Sequence, residues 1–451
     1  MSATARNGGR RDVRKRPASA GPTASAAEAI AKISPARAAA FEILALVGEG
    51  KGHSDTLLHS ARTEALSPED RNLATALVMG VLRWQIALDA RTAKLLARPD
   101  QRLAEPVALA LRMGAFQLLH MDRIPAHAVL NESVELCRAA GQPHAAGMVN
   151  AVLRKLAAAQ KPGTRIFESP AAFAERLGHP LWLVERWVAA YGREAALAIC
   201  EYDQREPGHG GLFPEAAAAE DSPQMDDGSR LVAEIAAAAL PFSGGRTARV
   251  WDCCAAPGGK TLMLAQRLAG AEILATDASA KRLIQMTARL RRYPYAERVR
   301  CEVVDAATAA GGEQFDLILC DVPCSGTGTL ARNPEIRHIL RAEELQRQAT
   351  RQRAILRGAL QCLAPGGRLV YSTCSLEPEE NEQVVAAVLA AAEGVRRLPV
   401  APFVAGLADT GVLRLEAGAA LLGSAIKDYA LRTLPGVHPC DGFFAAVLER
   451  N

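Results

Sequence analysis

No apolar run in the 451-residue chain approaches the roughly 18 residues that a membrane-spanning helix needs, so no membrane partner is expected. The Ala/Gly/Ser-rich start, residues 1–33, has no apolar core of the kind a secretory signal carries. Ten cysteines are present without a repeated paired spacing, which argues against a disulfide framework and points to the reducing cytoplasm. The nine histidines form no metal-ligand motif, and Cys253, Cys254, Cys324 and Cys374 lack the paired spacing of a zinc site, so no metal is expected. A P-loop is missing too. The stretch WDCCAAPGGKT at 251–261 ends in Gly-Lys-Thr, yet the glycine required five positions before Gly259 is Cys254. Net charge is small: the formal value is +4, and the first seventeen residues alone hold six Arg or Lys against Asp12. The rest of the chain is close to neutral. The basic arm reads as a disordered, solvated terminus or as a non-specific phosphate contact.

What is present suffices for two or three domains, given the length and 49% hydrophobic residues. Residues 34–160 read as helix after helix. Ser67-Pro68-Glu69-Asp70 is an N-cap, a first-turn proline and two first-turn acids, and Leu73, Leu77, Val81, Trp84 and Leu88 follow at helical spacing. Arg83, Arg91, Lys94, Arg98, Arg102, Arg112 and Arg123 are scattered through this half. Residues 161–228 read as a connector, with one helical stretch over 181–202 and a Gly/Pro/Asp-rich linker over 206–228. From 229 to 451 the rhythm is strand, turn, helix. Short apolar runs stand at 248–253, 272–277, 300–305, 315–321, 367–374 and 443–449, with helical stretches at 260–269, 279–292, 342–363 and 379–392. That alternation predicts an α/β domain with a parallel, doubly wound sheet, in which ligands sit beyond the carboxyl ends of the strands.

The residues that carry chemistry lie at those ends. The first strand runs into Cys254, Ala255, Ala256, Pro257, Gly258, Gly259 and Lys260, a small-residue turn that brings bare backbone close to a ligand. The second ends in Asp277, nineteen residues beyond Gly258, where a nucleotide-binding sheet places an acid for the ribose hydroxyls. The third ends in Asp305, suited to an adenine edge. A ribose and a purine without a pyrophosphate fingerprint leave S-adenosylmethionine and a nicotinamide cofactor as alternatives. DVPCSGTG at 321–328 and STCSLEPEEN at 372–381 then put Cys324 and Cys374 at the working edge of the sheet. Buried cysteine is common as a small hydrophobe. Two at one edge point to nucleophilic thiols. Carbon 5 of a pyrimidine becomes nucleophilic only after something adds to carbon 6, and cysteine does that addition. Asp321 is placed to hold the ring's N3 proton.

Together CAAPGGKT, TD, DVPCSGTG and STCSLEPEEN resemble the Sun-domain RNA cytosine-5 methyltransferases. In the front half SPEDRNLATALVMGVLRW, RIPAHAVLNESV and GMVNAVLRKL resemble the NusB-like RNA-binding domain of the RsmB/Fmu branch, and DGFFAAVLER at the end matches as well. The resemblance runs from about residue 35 to the end. It implies an all-helical NusB-like domain followed by a Rossmann-like class I methyltransferase domain that uses S-adenosylmethionine. It also implies a monomeric, cytoplasmic enzyme acting on RNA, with 16S ribosomal RNA processing and 5-methylcytosine as the outcome. By the same resemblance Cys374 is the nucleophile and Cys324 assists release. Cys254 to Lys260, Asp277, Asp305 and Asp321 line the cofactor site, with Lys260 and Asp321 facing the cytosine. The family's small α/β insert is expected to be missing between DQREP (203–207) and QMDDGSRLVAE (224–234). A non-catalytic RNA-binding assembly factor and a tRNA cytosine-5 methyltransferase are the competing readings.

Overall fold

The computed structural model describes Ala29 and residues 31–159, 168–208, 211–214, 223, 225–241, 245–309 and 311–451. The tail expected at 1–33 lies outside the described residues except for Ala29 and 31–33, as does most of 209–224, where the insert was expected to be missing.

The front half contains α1 (Pro35–Gly48), the short α2 (Ser54–Leu58) and α3 (Ala61–Glu64), then α4 (Pro68–Ala93), α5 (Glu105–His120), α6 (Ala126–Ala139) and α7 (Ala146–Ala158). Helix α4 starts where the cap signals put it: Ser67 Oγ accepts from Asp70 N at 3.1 Å, and Pro68 opens the first turn. Of the described helices α4 alone is long and apolar enough to cross a membrane. Here its Leu77, Val78, Val81 and Leu82 are buried against Val107, Leu111, Val149 and Leu153 in one core.

The connector holds α8 (Pro170–Arg176), α9 (Leu181–Tyr191) and α10 (Arg193–Tyr202). The single helix expected over 181–202 is two, because Gly192 at φ 84 turns the chain between them. The described part of the expected linker is docked rather than loose. Leu212 and Phe213 are buried in the core of the second half, and Leu212 N donates to Asp227 Oδ2 at 2.8 Å.

The second half begins with α11 (Asp227–Ala238) and is built on a nine-stranded sheet. The strands are β1 (Arg249–Asp252), β2 (Glu272–Asp277), β3 (Val299–Val303), β4 (Phe315–Asp321), β5 (Leu363–Thr373), β6 (Val395–Leu398), β7 (Ile426–Lys427), β8 (Ala430–Arg432) and β9 (Phe444–Arg450). Their order is β3-β2-β1-β4-β5-β9-β8-β7, with β6 also paired to β9. β1 to β5 are parallel, and α12 (Gly259–Arg267), α13 (Ala280–Leu290), α14 (Ile336–Ile339) and α15 (Ala342–Gln361) occupy their crossovers. The expectation of an all-parallel sheet is corrected by β9, which runs antiparallel between β5 and β8. The pleat sends Val250, Ile273, Leu317 and Val370 to one apolar layer and Trp251, Leu274, Ile318 and Tyr371 to the other. β4 and β5 are neighbours, with Asp321 opposite Ser372. That pairing sets the site.

Candidate active site

β1 ends in Asp252, and the chain then turns into α12. Gly258 caps that helix at φ 94, and a Cβ there would stand 2.9 Å from Met286 Cγ, so both backbone and packing require glycine. Thr261 Oγ1 donates to Asp252 Oδ2 at 2.6 Å and ties the helix back to the strand end. Asp252 Oδ1 is buried with no hydrogen-bond partner among the described residues. Burial pushes this carboxyl up to about 7, opposed by the Thr261 hydrogen bond and helped by nearby Asp321. The turn opens on a cavity of about 220 Å³ whose charged lining is Asp226, Asp252 and Asp321 with Lys260 and Arg289. Cys254, Ala255, Ala256, Pro257 and Gly259 supply most of the rest.

Lys260 Nζ lies 2.8 Å from Asp321 Oδ2, and Asp321 Oδ1 accepts from Ser372 Oγ at 2.7 Å. Burial works against the Lys260 charge, but Asp321 outweighs it and holds the ammonium above its ordinary range, with Asp226 and Cys374 adding to the effect. Beside this pair the adjacent strands bring together two residues fifty positions apart: Cys324 Sγ is 3.3 Å from Cys374 Sγ. Either sulfur can donate across this contact, and the contact with Cys374, and then burial, raise the Cys324 thiol well above its ordinary value.

Both cysteine-bearing loops are gripped from outside the sheet. Gly328 N donates to Cys374 O at 2.9 Å, and Gly442 N donates to Gly328 O at 2.8 Å. A Cβ on Gly328 would meet Gly442 O at 2.2 Å, so the terminal Asp441-Gly442 turn packs backbone to backbone on the Cys324 loop. The helical half holds the far end of that loop. Fully buried Arg337 donates to Arg83 O at 2.9 Å and Gly178 O at 3.2 Å, and Ser54 Oγ donates to Glu335 Oε2 at 2.9 Å. Helix α9 holds the segment after Cys374: Trp187 Nε1 donates to Glu377 Oε1 at 3.1 Å, Arg186 Nε donates to Glu377 Oε2 at 2.7 Å, and Tyr191 donates to Leu376 O. Leu330 and Leu376, one from each loop, complete the connector's apolar core around Trp187 and Ile199.

The structure gathers Cys254 to Lys260, Asp321, Cys324 and Cys374 about the ends of β1, β4 and β5. Asp277 ends β2 close by, buried, with Oδ1 accepting from Ser279 N at 2.8 Å and Oδ2 3.1 Å from Arg282 Nη1. Asp305 is exposed; it caps a turn by accepting from Ala307 N at 3.0 Å and does not line the cavity. Sequence reasoning passed over Asp226, Asp252 and Arg289. Asp252 stands at a strand end like the acids that were noticed, and that signal was readable. Asp226 caps α11 by accepting from Ser229 N, and in sequence it was one acid among several in a loop-like stretch. Arg83 and Arg112, two of the scattered basic residues, serve internal contacts: Arg83 donates to Ala331 O at 2.8 Å, and Arg112 pairs with Asp89 at 2.7 Å.

The model of the family "16S rRNA methyltransferase RsmB/F" matches residues 242–449, and that of the NusB family matches residues 34–158. A ribosomal RNA small subunit methyltransferase B of Xanthomonas campestris is 32% identical over 94% of this chain and 99% of the relative. A protein of the same name from Pseudomonas putida is 33% identical over 81% of this chain and 91% of its own length. The crystal structure of PH0851 superimposes with a TM-score of 0.68 at 20% identity, covering 93% of this chain and 99% of that one, a likeness of fold.

Proposed function

The chain belongs to the 16S rRNA methyltransferase RsmB/F family, and from that premise we propose that it transfers a methyl group from S-adenosylmethionine to carbon 5 of a cytosine in 16S rRNA through a covalent cysteine adduct. The single observation that carries this reading is the pair of sulfurs 3.3 Å apart beside the Lys260–Asp321 ion pair. The cavity suits the cofactor. With Asp321 paired to Lys260, the acids of the lining still outnumber its bases by one and Asp252 keeps an orphaned buried oxygen, a balance that favours a sulfonium cation, and Gly258 and Gly259 leave the turn free of side chains. Asp277 would accept from the ribose hydroxyls, whereas Asp305, exposed and outside the cavity lining, is given no contact with the cofactor. Bound there, S-adenosylmethionine supplies an electrophilic methyl group.

The chain's own residues do the rest. Cys374 Sγ, its proton passing to the ring's N3, adds to carbon 6 of the cytosine, and the electron pair of the carbon 5–carbon 6 double bond moves to carbon 5. Asp321, oriented by Lys260 and Ser372, holds the N3 proton that stabilises the adduct. Adding Cys374 to the ring leaves Cys324, 3.3 Å from that sulfur, as the free thiol beside the adduct. Release then falls to Cys324. The NusB-family half binds the RNA in this account. Bisulfite sequencing of ribosomal and transfer RNA from a strain lacking the protein tests it: one cytosine of 16S rRNA loses its mark. Loss confined to transfer RNA, or no loss at all, contradicts it.

A further inference from the structure

Glu380 is fully buried, and the mechanism above gives it no part. Its carboxylate lies between the two cysteine loops. Oε1 accepts from Ser325 N at 2.9 Å and from Gln352 Nε2 at 2.9 Å, while Oε2 accepts from the hydroxyls of both Ser325 and Ser375. Ser325 follows Cys324 and Ser375 follows Cys374, so one carboxylate spans the pair. A buried acid persists in such a place only when its oxygens are satisfied, and here four donors converge on them.

The two loops do not depend on Glu380 equally. Cys374 directly follows the eleven-residue strand β5, which is paired on both sides. Its own carbonyl is tied to Gly328 N, and Asn381 braces the next turn by donating to Ser375 O at 2.9 Å and accepting from Thr373 Oγ1. Cys324 lies beyond the end of β4, whose last tie to β5 is Val322 N to Ser372 O at 3.0 Å. Pro323 has no N–H to give, and its carbonyl accepts from Gln352 Nε2 at 2.9 Å, the same amide that donates to Glu380. Both neighbours of Cys324 are thus anchored on Glu380, one directly and one through Gln352.

We propose that Glu380 is the positioning residue for Cys324, holding its sulfur where the adduct is resolved. The proposal rests on the covalent reading above. In release, Cys324, having given its own proton to solvent, takes the proton from carbon 5. The C–H electron pair re-forms the double bond between carbons 5 and 6, and the carbon 6–sulfur bond breaks with its pair returning to Cys374 Sγ. With Gly328 still held by Cys374 and Gly442, loss of the Glu380 anchor frees only the residues flanking Cys324, which leaves attack intact and stalls this step. A residue that only supported the fold would lower attack and release together.

The experiment incubates full-length Glu380→Ala, Glu380→Gln, Cys324→Ala and Cys374→Ala with 16S rRNA and S-adenosylmethionine, then reads turnover, the adduct on denaturing gels and the cofactor Kd. Glu380→Ala is expected to lose on the order of 100-fold in turnover, the scale of a displaced reacting group. Its cofactor Kd should stay within about twofold, and adduct should accumulate as in Cys324→Ala. Glu380→Gln keeps an acceptor for Ser325 N and Gln352, and the serine hydroxyls can turn to accept from its amide, so it restores release. Folded Glu380→Ala without adduct, beside a Cys324→Ala that traps it, overturns the proposal alone. Adduct in Cys374→Ala overturns the covalent reading instead. If Glu380→Ala fails to fold, the double variant Ser325→Ala with Gln352→Ala, which removes the hydroxyl tie and the amide bridge to Pro323 O and leaves the Ser325 N bond, decides: a longer adduct lifetime supports the proposal and an unchanged one refutes it.

Discussion

Asp277 and the buried acids divide the work of single residues between ligand binding and pH response. If Asp277 accepts from the ribose hydroxyls, Asp277→Ala weakens S-adenosylmethionine binding by about 2 to 4 kcal/mol, the scale of charge-assisted hydrogen bonds lost from a partly buried site. Calorimetry on the full chain reads this directly, and an unchanged Kd removes Asp277 from the site. Asp203, Asp252 and Asp441 are pushed by burial from 3.8 to about 7, about 7 and about 6. A carboxyl raised in the fold stabilises it fully below its unfolded value and loses that contribution as pH rises through the folded one. His179, hydrogen-bonded to Asp203 at 3.1 Å, and His338 are driven below 6.5 by burial, so they add no opposing slope above that pH. The melting temperature should therefore fall between pH 6.5 and 8, and Asp203→Asn should flatten the slope. A melting temperature that rises across this window contradicts the assignment.

Among the elements, α9 and α10 were legible only as one helical stretch over 181–202, α8 had no signal of its own, and none of the three was legible as part of the site. Composition marks 161–228 as a connector; nothing local says that Leu330 and Leu376, more than a hundred residues later, close its core. Long-range packing of this kind leaves no periodic trace in sequence. Leu376→Ala should cost about 2 to 5 kcal/mol in denaturant unfolding, the usual range for a buried leucine in a close-packed core, and should slow methylation because it loosens the Cys374 loop. A loss of activity without a loss of stability would show that this core is not what holds the loop. The strand ends were legible because β1, β2, β4 and β5 are buried on both faces and read as apolar runs ending in acids or cysteine. β6, β7 and β8, of four, two and three residues, are too short to show a period. Glu380 escaped notice because a glutamate in Pro-Glu-Glu-Asn reads as solvated, and only the meeting of two loops buries it.

Across the whole molecule the two halves share a polar, buried junction, in which Arg337 bridges to Arg83 and Gly178 and His338 meets Leu82 O at 2.7 Å. Isolated halves would expose these groups unpaired, so binding belongs to the full chain. RNA affinity should drop steeply between 50 and 200 mM salt, as phosphate contacts demand, while cofactor affinity barely moves. Equal salt sensitivity of the two would mean that RNA is not held mainly by its backbone. The central claim, two thiols with opposite tasks, is tested most directly by running the full-length cysteine variants with 16S rRNA and S-adenosylmethionine on a denaturing gel. Cys374→Ala should give neither methylation nor adduct, and Cys324→Ala should give a protein–RNA band that survives denaturation. A band from Cys374→Ala and none from Cys324→Ala would reverse the assignment, and no band from either, with wild-type methylation intact, would contradict covalent catalysis.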